Sequence, residues 1–294
     1  MDDHAIDPIR RFNRTVQERI GALSDRFLER PFPLGEARLL WEIGPDGTEI
    51  RALRGRLGLD SGYLSRVLHA LTKRHFVRIR VSANDRRVRR VYLTAAGLKE
   101  RAELDQRSNR VALAILDPLS EKQRARLVAA MEEVERLLKA SMVRIATADP
   151  TTPEATWCFG QYFAELDKRF ETGFDPAISI SAAASELTSP QGALLIAWLR
   201  NEPIGCGALK FHGDAPAELK RMWVAPAARG LGVGRRLLCE LERHAREAGV
   251  CLLRLETNRA LREAIALYRA SGYIEVDAFN DEAYAHHWFE KHLH

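Results

Sequence analysis

The chain has 294 residues, room for two ordinary domains, and its 46% hydrophobic content can supply a core for each. Its +5 formal charge is unevenly divided: residues 1–145 carry 29 basic against 20 acidic residues, whereas residues 146–294 carry 16 against 20, so the first half is the one suited to polyanions. The opening MDDHAIDPIR lacks an apolar h-region and the longest apolar runs, such as Ala193 to Leu199, are too short for a bilayer, which excludes a membrane-spanning reading and leads to the expectation of a soluble, cytoplasmic protein.

In chain order, Ile9, Phe12, Val16, Ile20, Leu23 and Phe27 recur at three and four residues and predict one amphipathic helix from Asp7 to Glu29, ended by Pro31 and Pro33. Two short helices follow, Leu34–Trp41 and Glu49–Leu57, the second after a Gly44-Pro45-Asp46-Gly47 turn with Thr48 as N-cap. A third, Ser61 to about Lys73, turns Leu64, Val67, Leu68 and Leu71 inward and leaves Ser61, Tyr63, Ser65, Arg66 and His69 toward solvent. Short polar side chains followed by Arg suit a DNA major groove, and they equally suit a plain solvated face. The runs 76–81 and 88–93 flank Ser82-Ala83-Asn84-Asp85-Arg86-Arg87 and predict a hairpin in which Arg86, Arg87 and Arg89 could meet DNA. Helix, turn, helix and arginine-loaded hairpin make a winged helix-turn-helix.

The stretch SGYLSRVLHALTKRHFVRIRVSANDRRVRRVYLTAAG resembles the MarR family of regulators, through the DxR wing signature at Asp85 and Arg87 and the LTxxG turn at Leu93, Thr94 and Gly97. The resemblance spans roughly residues 5–140. It implies that Asp85 holds the wing, that Arg87 meets double-stranded DNA, and that the first and last helices form a homodimer. Thr94 caps a helix toward Leu113, and Ser120 with Gln123 forms a capping box for another reaching Ser141. The apolar stripe of that last helix, from Leu127 to Leu138, must be covered by a second copy or by the rest of the same chain.

The expected division is therefore 1–145, a linker over 146–153 (ATADPTTP), and 154–294. The second part holds all four cysteines, Cys158, Cys206, Cys239 and Cys251, without metal-ligand spacing; buried free thiols and no metal site are expected. A helix with Phe159, Phe163, Leu166 and Phe170 on one face precedes strands at about 178–183, 193–200, 204–211 and 218–224. A glycine loop, a helix at 235–248, a strand at 252–256, a helix at 261–270 and strands at 273–276 and 285–289 complete an α/β domain with a mixed sheet.

The loop Arg229-Gly230-Leu231-Gly232-Val233-Gly234 opens a helix, where free amides and the helix dipole favour phosphate oxygens. A dinucleotide fingerprint wants GxGxxG tight against the strand, with an acid such as Glu256 beyond it; here the spacing is GxGxG and Ala225-Pro226-Ala227-Ala228 intervenes. The run ELKRMWVAPAARGLGVGRRLL instead resembles the GNAT acetyltransferase superfamily, as does ETNRALREAIALYRASGY with its Ala-x-x-x-Tyr-x-x-x-Gly-[FY] segment. That resemblance, over roughly 150–294, implies a GNAT fold and acetyl-CoA as co-substrate. It implies further that loop amides from Gly230 to Gly234 hold the pyrophosphate and that the edge of Met222-Trp223-Val224 serves the pantetheine arm. Glu218 stands where some members keep a base, or is a surface carboxylate paired with Lys220. Tyr268 stands where the family keeps its acid, or is a core tyrosine, and Asn258 is a cofactor contact or an N-cap. Acceptor recognition falls to Gln161, Tyr162, Arg169 and Phe174 and to Asn280 and Tyr284, with Arg169 able to bind a carboxylate or simply lie exposed. The implied function is acetylation of a small amine or amino acid by an enzyme fused to a DNA-binding domain. A regulator that senses acetyl-CoA and a protein-lysine acetyltransferase delivered to DNA are the alternatives.

Overall fold

The computed structural model describes residues 3–81, 88–213 and 215–293. The chain divides into two compact units, Met1–Met131 and Glu132–His294. Among the described residues no helix is long and apolar enough to cross a membrane.

In the first unit, α1 (Asp3–Ile20) is shorter than its apolar repeat suggested. Gly21, at φ 65°, ends it in the left-handed conformation, and Ala22 N–H donates back to Gln17 O at 3.0 Å. Next come α2 (Leu34–Glu42), a two-residue strand β1 (Thr48–Glu49), α3 (Ile50–Leu57) and α4 (Ser61–Lys73). Thr48 is thus in a strand; its hydroxyl accepts from Gly44 N across the turn, not from the helix. Strands β2 (Val77–Val81) and β3 (Arg89–Leu93) form an antiparallel sheet in the order β1-β3-β2. Thr94 caps α5 (Ala95–Leu116) by accepting from Gly97 N at 3.0 Å. Gly97 has no room for a side chain, because a Cβ there would lie 2.0 Å from Phe76 O. Leu39, Leu40, Leu53, Leu64, Leu71 and Val91 form the core under these elements. Helix α6 (Glu121–Ser141) opens on the Ser120–Gln123 capping box, and none of its residues is buried: Met131 is 48% exposed, Leu137 and Leu138 each 56%.

In the second unit, residues 144–147 form a strand, β4 (Arg144–Thr147), paired with β5 (Gly192–Leu199). Ala146 and Thr147, expected in the linker, therefore belong to the sheet. Helix α7 (Pro153–Arg169) follows, capped by Thr152. The predicted strand at 178–183 is absent; that stretch is irregular and ends in a short 3-10 turn, Ala184–Leu187. Strands β6 (Glu202–His212) and β7 (Ala215–Val224), helix α8 (Val233–Glu247), β8 (Leu252–Thr257), α9 (Arg262–Ala270), β9 (Ile274–Val276) and β10 (His287–His292) complete the unit. The mixed sheet runs β4-β5-β6-β7-β8-β10-β9. Its two faces follow the period-2 alternation of the strands. Leu195 and Ala197 join the core beneath Leu237, Leu238 and Leu241 of α8, while Leu194 and Ile196 pack with Cys158 and Phe159 of α7. Two of the four thiols, Cys239 and Cys251, are exposed, so burial holds only for Cys158 and Cys206.

Candidate active site

The site is made by two strands that part. Among the described residues, strands β7 and β8 pair in parallel only at Ala217↔Leu253 and Glu218↔Arg254. Just beyond, Arg221 takes φ 55°, and the β6 register slips between Cys206 and Ala208, opposite Trp223 and Lys220. A non-glycine residue in the left-handed region inside a strand is a bulge that re-aims its neighbours. Past it a cleft of about 510 Å³ opens, walled by Met222, Trp223 and Val224 of β7, by the glycine loop, and by Tyr162 and Tyr268.

The loop geometry explains its composition. Gly230 and Gly232 have φ of 81° and 74°, and a Cβ on either would meet nothing within 4 Å, so backbone conformation and not space requires glycine there. Leu231 between them and Val233 just after turn inward and are buried. This fixes the loop with Gly232 as the N-cap of α8, whose first-turn amides, Val233, Gly234 and Arg235, have no acceptor inside the helix. The Leu231 amide differs, since it already donates to Ala228 O at 3.4 Å. Arg229 bridges from the loop to Val224 O and to the Glu165 carboxylate of α7, which also accepts from Trp223 Nε1 at 3.0 Å. Burial alone would raise Glu165, but Arg229, Arg169 and Trp223 together hold it below the ordinary range.

A second cavity of about 100 Å³ adjoins the cleft and shares Tyr162, Met222 and Tyr268 with it. Lys220 and Arg221 of β7, Glu256 at the end of β8 and an aromatic wall of Phe163, Phe174 and Tyr284 line it. Lys220 is buried and its ammonium bonds Glu256 Oε1, with Glu218 Oε2 at 3.1 Å. Burial acts to lower that ammonium; the two carboxylates outweigh it and hold it raised. Glu256, with 9% of its side chain exposed, keeps its other oxygen, Oε2, buried without a hydrogen-bond partner among the described residues. The Tyr268 phenol is pushed far up, first by burial and then by Glu256, and so stays protonated across the physiological range.

The remaining expected site residues divide. Tyr162, Phe174 and Tyr284 line the second cavity, whereas Glu218 lines neither space. It sits at the last rung where β7 and β8 still pair, below the opening, bound to Lys220 and 3.5 Å from His212 Nε2. Asn258 does not line the glycine-loop cleft: Nδ2 donates to Tyr284 O and Oδ1 accepts from Ala260 N, which ties the side chain into a turn. Because α9 begins only at Arg262, Asn258 is no N-cap either. Arg169 is half-buried on the wall of the cleft, where it is tied to Glu165, Glu263 and Ala260 O. Gln161 points to solvent, and Asn280 accepts from Trp288 Nε1 at 2.8 Å outside both spaces. Four residues of the site, Glu165, Lys220, Arg221 and Glu256, had no site role in the sequence reading. Position at the mouth of the splay is the signal that would have found Glu256.

In the first unit Ser61, Ser65, Arg66 and His69 lie along the exposed side of α4, and Arg89 is exposed on β3. Tyr63 departs from that face: it packs against the core, its hydroxyl where a Cβ on Gly35 would stand. Asp85, Arg86 and Arg87 lie outside the described residues.

Residues 154–273 match the model of the acetyltransferase (GNAT) family. The IAA acetyltransferase of Azospirillum brasilense is 40% identical over 120 residues, 40% of this chain and 78% of that protein. The N-alpha-acetyltransferase RimI of Mycobacterium tuberculosis is 35% identical over 135 residues, 45% of this chain and 83% of its own length. The chain belongs to the GNAT family. It is an acyltransferase, and acetyl-CoA is its co-substrate. The α8 N-terminus, the left-handed glycines and the adjoining cleft fit that group: phosphate oxygens suit the loop amides, and the β7 edge past Glu218, unpaired with β8 among the described residues, suits a polar, extended arm.

Proposed function

We propose that this GNAT domain acetylates the amine of a small molecule or amino acid seated in the second cavity, with Glu256 as base and Tyr268 as acid. The observation that carries the reading is the orphaned Glu256 Oε2, buried at the wall of the second cavity, which Tyr268 shares with the cleft. Acetyl-CoA supplies an acyl group activated as a thioester. On the protein side, a buried carboxylate oxygen without a partner accepts an N–H of the incoming ammonium and takes its proton. The neutral Tyr268 phenol, on the wall common to both spaces, gives a proton to the departing sulfur. Main-chain N–H groups at the β7 bulge, fixed before the substrate arrives, answer the charge that grows on the carbonyl oxygen. Amide donors at the start of α8, from Gly232 to Arg235, hold the pyrophosphate, while Met222, Trp223 and Val224 face the pantetheine arm. Glu218 serves by completing the Lys220 ion triad rather than by touching substrate.

Free-thiol release from acetyl-CoA across an amine panel tests this. Glu256→Gln and Tyr268→Phe are each expected to lower kcat by roughly 10²-fold or more with acetyl-CoA affinity retained, and Glu218→Gln to stay within a few-fold. Full activity in Glu256→Gln would move the base elsewhere.

We further propose that the first unit is a MarR-like winged helix that binds double-stranded DNA as a homodimer. The reading rests on the exposed Ser61, Ser65, Arg66 and His69 of α4, the sheet β1-β3-β2 beside it, and the uncovered apolar residues of α1 and α6. Affinity for duplex DNA should fall steeply with salt as counterions are released. Arg66→Ala or Arg89→Ala is expected to flatten that slope by about one unit if the side chain meets phosphate. An unchanged affinity and slope in both variants would remove the DNA-binding assignment. Acetyl-CoA-dependent changes in that affinity would favour a sensing regulator over an independent enzyme.

A further inference from the structure

Arg221 is a half-buried cation with no carboxylate partner among the described residues. Its guanidinium lies over the rings of Phe159 and Phe163, 4.1 and 5.3 Å from their centroids, and donates to Ala182 O at 2.6 Å and Ser181 Oγ at 3.3 Å. All these partners are neutral, and Arg221 forms no ion pair with any described residue. Burial accordingly pulls it below the ordinary arginine value, where a neighbouring carboxylate would have raised it. By contrast Lys220 and Arg169 each have two carboxylates within ion-pair distance. The backbone also goes out of its way to present this residue. In a regular strand 220 and 221 would face opposite sides of the sheet, yet the left-handed turn at Arg221 brings both to the wall of one cavity. A left-handed arginine costs on the order of 1 kcal/mol, and such strain persists where the surroundings hold it in place.

The same cavity is thus lined by a half-buried guanidinium with no carboxylate partner among the described residues and, at Glu256, by a buried carboxylate oxygen without a donor. The same cavity has an aromatic wall, with Phe163 and Phe174 stacked at 5.6 Å and Phe174 beside Tyr284 at 5.0 Å. We propose that the acceptor is an amino acid with an aromatic or large apolar side chain, whose carboxylate is held by Arg221 while its amine meets Glu256. A planar carboxylate matches the guanidinium fork, and a zwitterion gives both the half-buried cation and the buried carboxylate a partner. Arg221 is then the specificity-determining residue. The inference rests on the acetyl-transfer reading above, because it takes the amine end from Glu256.

The test compares phenylalanine, phenylalanine amide and phenethylamine as acceptors, which share the ring and the amine and differ only in the carboxylate. Wild-type kcat/KM is expected to favour phenylalanine by at least tenfold, mainly through KM. Arg221→Gln should bring the three close to equality with acetyl-CoA binding intact, and Arg221→Lys should keep part of the preference. Calorimetric binding of N-acetylphenylalanine against N-acetylphenethylamine reads the same discrimination without turnover. That makes it independent of the Glu256 assignment, whose failure would appear as an active Glu256→Gln. Equal wild-type efficiency for acid and amine, equal binding of the two acetylated products, a preference for phosphorylated amines, or a preference surviving in Arg221→Gln would each overturn the proposal. Should Arg221→Gln not fold, the wild-type ratios and Arg221→Lys decide it.

Discussion

Replacing Lys220 by methionine exposes how much of the second unit's stability depends on a buried charge cluster. Lys220 and Glu256 each have 9% of their side chains exposed and Glu218 18%, so solvent screens this triad little. Methionine conserves most of the volume but leaves two carboxylates on neighbouring strands with no cation between them. Removing one partner from a buried pair costs about 3–5 kcal/mol, chiefly from the uncompensated charge left behind. A domain of this size shifts by roughly 2–4 °C per kcal/mol, so Lys220→Met should lower the midpoint of thermal unfolding by about 10 °C. The direction with pH follows from the raised folded-state value of Lys220. Its contribution is fully present below the unfolded lysine value of 10.5 and is lost as pH rises through the higher folded one. The wild-type advantage over Lys220→Met should therefore be flat from pH 7 to 10 and shrink only at more alkaline pH. Denaturant titrations of both proteins across that range measure it. A midpoint within about 2 °C of wild type at pH 7.5, or a gap that does not narrow in alkali, would refute the reasoning.

Gly232→Ala and Gly234→Ala separate two reasons for a loop glycine. At Gly232 an added Cβ is unopposed but the left-handed φ of 74° costs about 1–2 kcal/mol, so a lower melting temperature and weaker acetyl-CoA binding by calorimetry are expected. At Gly234 the backbone is ordinary and the Cβ meets Leu267 Cδ2 at 3.3 Å, so stability should change little while the cleft narrows. Met131→Glu together with Leu138→Glu on exposed positions of α6 should convert a dimer to monomers in sedimentation velocity with little change in helix content. A wild-type chain already monomeric at tens of micromolar would remove the dimer from the proposed function.

The elements that the sequence made legible are those whose pattern is local. Thr94 before Ala95, Ser120 with Gln123, and the GxGxG spacing each bind within a few residues, and each cap or left-handed glycine stands in the structure where local chemistry requires it. Helix α1 was read too long because the repeat of Leu23 and Phe27 continues past a glycine that stops it. Strand β4 was invisible because Ala146-Thr147-Ala148-Asp149-Pro150 reads as a linker, and only pairing with β5, far away in the chain, makes a strand of its first residues. Tertiary partners overrode local preference there.

Chemistry at the site was less legible for a related reason: it depends on where two strands stop pairing. Counting back from Met222 selects Glu218, but the last β7–β8 rung falls on Glu218 itself, so its side chain stays beneath the opening. Glu256 lies two residues beyond Arg254, the β8 partner of that rung, and so faces the gap. An alternating pattern cannot reveal Arg221 either, since its approach to the cavity needs a backbone conformation that arginine rarely takes. One bulge therefore does three things at once. It ends the β7–β8 ladder, frees main-chain groups at the cleft, and turns a cation into the neighbouring cavity. A change that regularised β7 at Arg221 would be expected to disturb cofactor seating and acceptor choice together, whereas Arg221→Gln, which keeps the bulge, should disturb only the second.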